Sequence, residues 1–284
     1  MRYLRALTLI LCGISVSPFV HAQCSVDADA SEALKRLQQA RITHSVSGTF
    51  LRESAGAREF LSISRDEEGV TNTALYFNSE AGNAAQTFHV PLGPDLTACD
   101  VVRHYTLRIS PGPKVAGKRT QMLQFRPKDT LRLGYRLALE EESGVILRSD
   151  TISEKGELLE RHEFATVNIT RLSNQPMKAS QSDENPRFVK ISGLPSGYRA
   201  SLARGFEEQA LFVSDGIAAA TVVFEKLPNN VQPGEGAVRR GATLTYTRGS
   251  FVSGSKLLVT VTGEIPLAAA RVIADAVKLT AGRQ

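Results

Sequence analysis

The chain has 284 residues, 42% hydrophobic and 22% charged, close to globular averages, which excludes disorder, collagen and coiled coil as its main state. That length holds one large domain or two ordinary ones. Three cysteines exclude a disulfide-built scaffold and a four-cysteine zinc site, and the formal charge of +5 gives only a mild attraction to anionic partners.

The N-terminus predicts export. Arg2 and Arg5 form a positive region, Leu7 to Val16 an apolar one, and Pro18 opens a more polar stretch ending in Val20-His21-Ala22. This is the pattern of a secretory signal peptide over 1–22, too short for a stable membrane span. No small residue stands just before Cys12 or Cys24, which argues against a lipoprotein. Cleavage after Ala22 removes Arg2, Arg5 and Cys12 and no acidic residue, so the formal charge falls from +5 to +3. Cys24 and Cys99 remain. In an oxidising compartment they either pair across a long loop, tethering the N-terminus, or stay as two free thiols. No later run is apolar for long enough to cross a membrane.

Residues 28–41 read as an amphipathic helix, with Leu34, Leu37 and several alanines opposite Glu32, Lys35 and Arg36. Strands follow at 45–52, around Phe60 to Ile63, at 74–78 and at 86–90. Residues 101–109 combine a helical turn with a strand. Three clearer strands span 121–126, 131–139 and 145–152; the middle one alternates Leu131, Leu133, Tyr135, Leu137 and Leu139 against Arg132, Gly134, Arg136 and Ala138. A strand over 160–169 completes the run. Turns recur at short intervals, which favours an antiparallel sheet over βαβ units. Residues 173–186 are polar and proline-bounded and read as a linker. Beyond it lie strands at 187–192, 198–204, 208–214, 218–227, 242–248 and 256–262. Pro266 then opens a last helix with Leu267, Ala270, Ile273, Ala274 and Val277 on its apolar side.

The sequence carries few residues in patterns that support chemistry. His44, His89, His104 and His162 have no metal-ligand spacing to one another, to cysteine or to a carboxylate, and read as surface or sheet-edge residues. Ser253-Gly254-Ser255-Lys256 matches a serine acyl-transferase motif, but it fills a turn between strands where the motif needs a helix start. Gly234-Glu235-Gly236-Ala237 lacks the context and the lysine of a phosphate cradle. Glu140-Glu141-Glu142 reads as a solvated turn. Arg239-Arg240 has no aromatic interleaving, which argues against nucleic acid. No catalytic constellation and no cofactor site emerge, so a binding or regulatory module is expected rather than an enzyme.

Two blocks of the chain resemble the MucB/RseB family. The first runs from Lys114-Val115-Ala116-Gly117-Lys118 through Leu133-Gly134-Tyr135-Arg136-Leu137, Glu142-Ser143-Gly144 and Leu147-Arg148-Ser149-Asp150 to Gly156-Glu157-Leu158-Leu159-Glu160. The second runs from Gly193-Leu194-Pro195-Ser196-Gly197-Tyr198 through Phe212-Val213-Ser214-Asp215-Gly216-Ile217 and Arg240-Gly241-Ala242 to Val261-Thr262-Gly263-Glu264-Ile265-Pro266. Ser47 to Phe50 adds a weaker match. The departure from the family's pattern lies between Phe50 and His104, where this chain is shorter and less aromatic.

The resemblance implies a β-rich α+β protein. An N-terminal domain over 23–172, lipoprotein-carrier-like (LolA-like), would form a curled antiparallel sheet wrapping helices. After the linker, a smaller α+β domain over 187–284 would end in a helix. It implies a periplasmic negative regulator of an envelope-stress, sigma-E-type response that binds the periplasmic part of a membrane-spanning anti-sigma factor (MucA/RseA-like) and shields it from proteolysis. It also implies self-association as a homodimer and sensitivity to lipid or lipopolysaccharide. The protein contact is expected around Val213, Ser214, Asp215, Gly216 and Ile217 and around Arg239, Arg240, Gly241 and Ala242, residues that suit a core hairpin and turn equally well. A lipid or lipopolysaccharide carrier or sensor is the alternative, and a hydrolase built on Ser253 and Lys256 a distant third.

Overall fold

The computed structural model describes residues 24–65, 71–76, 96–172, 189–202, 210–228, 230–252 and 255–279. The expected signal peptide, the 173–186 linker, the 86–90 strand, His89 and Ser253 lie outside the described residues.

Helix α1 (Ala28–Thr43) begins where the Asp27 carboxylate accepts hydrogen bonds from the Asp29 and Ala30 amides, satisfying two of the free N–H groups of its first turn. Its buried side, Ala30, Ala33, Leu34, Leu37 and Ala40, follows helical spacing and lies on the first sheet. That sheet has eight antiparallel strands: β1 (His44–Ser54), β2 (Ala57–Arg65), β3 (Thr71–Tyr76), β4 (Tyr105–Pro111), β5 (Thr120–Pro127), β6 (Gly134–Glu140), β7 (Ile146–Ile152) and β8 (Leu158–Arg171). Their spatial order is β3-β2-β1-β8-β7-β6-β5-β4. Helix α2 (Ala98–His104) leads into β4 and is opened by a reciprocal capping box between Thr97 and Asp100. A disulfide joins Cys24, before α1, to Cys99 in α2.

The second sheet contains β10 (Arg199–Leu202), β11 (Ala210–Ser214), β12 (Ala219–Lys226), β13 (Glu235–Arg240), β14 (Thr243–Val252) and β15 (Ser255–Gly263), in the order β10-β11-β12-β15-β14-β13. Helix α3 (Leu267–Ala276) buries Ala269, Ala270, Ile273, Ala274 and Ala276 against Val222, Leu244, Tyr246 and Val261 of this sheet. A short pair, β9 (Val189–Ile191) with β16 (Val277–Leu279), brings the start and end of this unit together.

The architecture is the expected β-rich α+β one, a larger sheet with helices and a smaller unit ending in a helix. Two local readings are corrected. The 131–139 strand starts only at Gly134, and Arg132, assigned above to the polar side of that strand, is fully buried. An edge strand, β13, occupies Glu235–Arg240, where no strand was expected between 227 and 242; with few apolar residues and an exposed side, it carries no burial pattern to betray it.

Candidate functional site

The two sheets meet along a junction built from complementary groups. On the first side, residues 128–133 lead into β6 and carry Leu131 and Arg132. On the second, the β11–β12 turn carries Asp215. Its Oδ1 accepts from the Ile217 and Ala218 amides at 2.9 and 2.8 Å, a local Asx arrangement that fixes the carboxylate. Its Oδ2 accepts from the Arg132 guanidinium and, at 3.4 Å, from the Tyr105 hydroxyl. Arg132 also donates to Asp129 and to the Ser196 carbonyl. Its guanidinium lies 4.9 Å from the Tyr198 ring centre and 6.0 Å from that of Tyr105. With side-chain exposures of 0% and 1%, Arg132 and Asp215 form a desolvated pair whose geometry is held from both domains. Burial first, then the Asp215 charge, pushes the Tyr105 and Tyr198 hydroxyls above the ordinary phenol range, so both remain neutral donors.

Apolar groups cross in both directions. Ile217 is buried within the first core beside α1, while Leu131 packs on the second core and accepts a 3.1 Å hydrogen bond from Tyr198 at its carbonyl.

A second polar contact lies along β8. The Glu160 carboxylate accepts from Arg52 Nε at 2.9 Å, Ser54 Oγ at 3.1 Å and the amide of Ala242 at 3.1 Å, with His162 Nε2 also 3.1 Å away. Burial alone would raise its pKa, but hydrogen bonds from His162 and Arg52 bring it down to about 2. The turn beneath is tight: Gly241 has φ +58°, and a Cβ there would lie 2.0 Å from Ser54 Oγ. Arg239 braces this turn from behind, donating to the Ala242 and Ile265 carbonyls at 2.7 Å each. Close by, Glu264 is raised to about 7, chiefly by burial and then by the Glu160 charge.

The residues singled out from sequence therefore come together here, in different roles. Asp215, Gly216, Ile217, Gly241 and Ala242 touch or approach the first domain; Ser214 bonds within its own turn, donating to the Ala218 carbonyl and accepting from the Gly216 amide. Val213 is wholly buried in the second core, and Arg240 is exposed. Arg132, Tyr105, Tyr198, Glu160 and Glu264 also belong to this site, and no sequence motif marks them. The Asx turn at Ser214-Asp215-Gly216 was visible, but nothing local tells that its free carboxylate oxygen reaches an arginine 83 residues earlier. His162, read as a surface residue, instead partners Glu160. Glu140, read as solvated, is buried and accepts from the Ser143 amide and hydroxyl. Among the described residues no group of three or more His, Cys, Asp or Glu is placed to hold a metal ion, and no helix is long and apolar enough to cross a membrane.

The MucB/RseB N-terminal domain model matches residues 70–186, and the MucB/RseB C-terminal domain model matches residues 190–278. The sigma factor AlgU regulatory protein MucB of Pseudomonas aeruginosa is 26% identical over 319 residues, covering 98% of each chain. The sigma-E factor regulatory protein RseB of Haemophilus influenzae is 29% identical over 185 residues, 58% of this chain and 56% of that one. Among solved structures, the complex of P. aeruginosa MucA and MucB is matched with a TM-score of 0.67 and 26% identity, over 90% of this chain and 100% of that one. A crystal structure of MucB alone is matched at 0.64 and 24%, over 89% and 99%.

Proposed function

The chain belongs to the MucB/RseB family, and we propose that it is a periplasmic negative regulator of an envelope-stress sigma factor. In this reading it binds the periplasmic part of a membrane-spanning anti-sigma factor and shields it from proteolysis. It acts as a binding protein, not an enzyme, and is exported by cleavage after Ala22. The observation that carries the proposal is the match of both domains, in order, to MucB, a protein solved in complex with MucA. The mature chain divides into units over 23–172 and 187–284 with 173–186 between them.

The junction gives this function a physical basis. A partner segment that contacts both units is read by a surface whose shape depends on Arg132–Asp215 and Glu160–Ala242. The turns at Val213 to Ile217 and Arg239 to Ala242 are its structural supports, and the partner's contacts lie around them. A lipid or lipopolysaccharide carrier is the less favoured reading, since the matched relatives are named for sigma-factor regulation.

The test is binding of the purified mature chain to the periplasmic segment of its cognate anti-sigma protein, by calorimetry, with protection of that segment from its site-one protease as the second readout. Saturable binding with protection is expected. Absence of both would sink the proposal.

A further inference from the structure

Directly paired residues of antiparallel strands share a face of the sheet, so the register of the first sheet can be followed across it. One transverse row reads Arg108, Gln124, Arg136, Asp150, Arg161, Glu53, Arg58, from β4 to β2. Thr106 and Arg108 are exposed on β4 while Tyr105 and Leu107 are buried, so this is the outer face. In its middle, Asp150, with 1% of its side chain exposed, is shared by Arg136, Arg148 and Arg161 at 3.1, 2.9 and 2.9 Å.

The corner formed by β4, β5 and β6 differs from the rest of the row. Arg108 and Arg126 are exposed, and neither pairs with a carboxylate among the described residues. Arg136 shares the Asp150 carboxylate with two other arginines, and 43% of its side chain remains exposed. Arg126 lies two residues beyond Gln124, which is opposite both Arg108 and Arg136, so it stands diagonal to each of them. Such diagonals span about 7–8 Å, and clustered like charges on one sheet face destabilise the free protein.

We infer that this corner is a docking surface for an extended acidic segment of a partner protein, in which carboxylates two positions apart are held by Arg108 and Arg126, with Arg136 adding positive charge beside them. Alternate residues of an extended chain are about 6.6–6.8 Å apart, close to the diagonal spacing of the arginines. Guanidinium groups suit carboxylates because they donate two parallel hydrogen bonds. A uniformly anionic membrane plane fits less well. Beyond the corner the face alternates in sign, with Glu163 and Glu53 beside Arg148, Arg161 and Arg58. A segment of limited length carries a matching pattern; a plane of one sign does not. The inference rests on the reading of the chain as a binder of a protein partner and adds a second contact, away from the domain junction.

The experiment uses the full mature chain and an Arg108→Gln/Arg126→Gln variant, whose two positions support no ion pair among the described residues, with circular dichroism to check folding. The probes are a fluorescent decapeptide alternating Glu and Thr, a decapeptide of the same composition with its Glu in one block, and phosphatidylglycerol-containing vesicles. The alternating peptide should bind the wild type more tightly than the blocked one. The variant should lose roughly tenfold in affinity for it and show a flatter salt dependence. Equal binding of both peptides, an unchanged variant, or vesicle binding lost while peptide binding stays the same would each overturn the inference. The cognate anti-sigma segment, run in parallel, tests the proposed function separately. If it fails to bind the wild type while the alternating peptide is still held through Arg108 and Arg126, that function falls and this surface stands.

Discussion

Arg132 and Asp215, 83 residues apart in sequence, are held together at the centre of the junction, one from each domain and both out of contact with water. Removing one partner leaves an uncompensated charge in a site from which water is excluded. Arg132→Ala should therefore cost about 3–5 kcal/mol, measured by urea unfolding. The double change Arg132→Met with Asp215→Asn should recover part of that, because neither charge is stranded and the Asn oxygen still accepts from the Ile217 and Ala218 amides. If the single change costs under 1 kcal/mol, the pair is not what joins the domains.

Gly241 offers a sharper probe of the second contact. Ala at Gly156, where φ is +86° and no atom lies within 4 Å of the added Cβ, should cost only the left-handed backbone term of about 1–2 kcal/mol. Ala at Gly241 adds a collision with Ser54 and with a Glu160 carboxylate fixed by several bonds. It should cost at least about 1 kcal/mol more and increase protease sensitivity between the domains. Equal melting temperatures for the two variants would show that the turn is free to lift off β8.

Two carboxylates near this contact respond to pH in opposite senses. Glu160 is depressed to about 2 from an ordinary 4.5, so the stability it contributes is present above pH 4.5 and lost as the pH falls towards 2. Glu264 is raised to about 7, so its protonated form is favoured in the folded state. That advantage is complete below pH 4.5 and is lost as the pH rises through 7. Each shift corresponds to at most about 3 kcal/mol. Stability should peak near pH 4.5–5. Glu264→Gln should abolish most of the decline between pH 5 and 8, while Glu160→Gln should flatten the acid limb. Chemical denaturation across that range would read both, and a Glu264→Gln protein that still weakens from pH 5 to 8 would contradict the assignment.

The Cys24–Cys99 bond closes a loop of 75-residue separation. By the chain-entropy argument, removing it should cost about 4 kcal/mol, with less if the reduced chain keeps residual structure. The mature oxidised protein should show no free thiol on titration under denaturing conditions, and two after reduction. A Cys24→Ser/Cys99→Ser protein with an unchanged melting temperature would show that α1 is held by packing alone.

Much of the fold could be read from one-dimensional patterns because those patterns are local. Helical spacing in α1, the alternation of Tyr135, Leu137 and Leu139 in β6, and Pro266 ahead of α3 each announce an element within a few residues. Glu235–Arg240 was not legible, since an exposed edge strand need not alternate. The site was legible only in part for a related reason. Ser214-Asp215-Gly216 and Gly241 advertise turns, but Arg132 sits in an alternating run where its neighbours suggested a solvent-facing position. Only the tertiary approach of Asp215, Ser196 and Tyr198 turns it inward. Glu160 carries the same lesson: its partners come from β1, from its own strand and from a turn 82 residues later.

The strand order also governs when each unit can fold. In the first sheet β1 pairs with β8, and in the second unit β9 pairs with β16, so each is closed by its own first and last strands. The registers join His44 to Arg171 and Ile191 to Val277, contacts of long sequence separation that must overcome a large loop-closure entropy before they stabilise anything. Neither half can complete itself until its final strand has been delivered. A chain emerging from a ribosome or a translocation pore therefore stays unfinished, and open to chaperones and proteases, through most of the synthesis of each half.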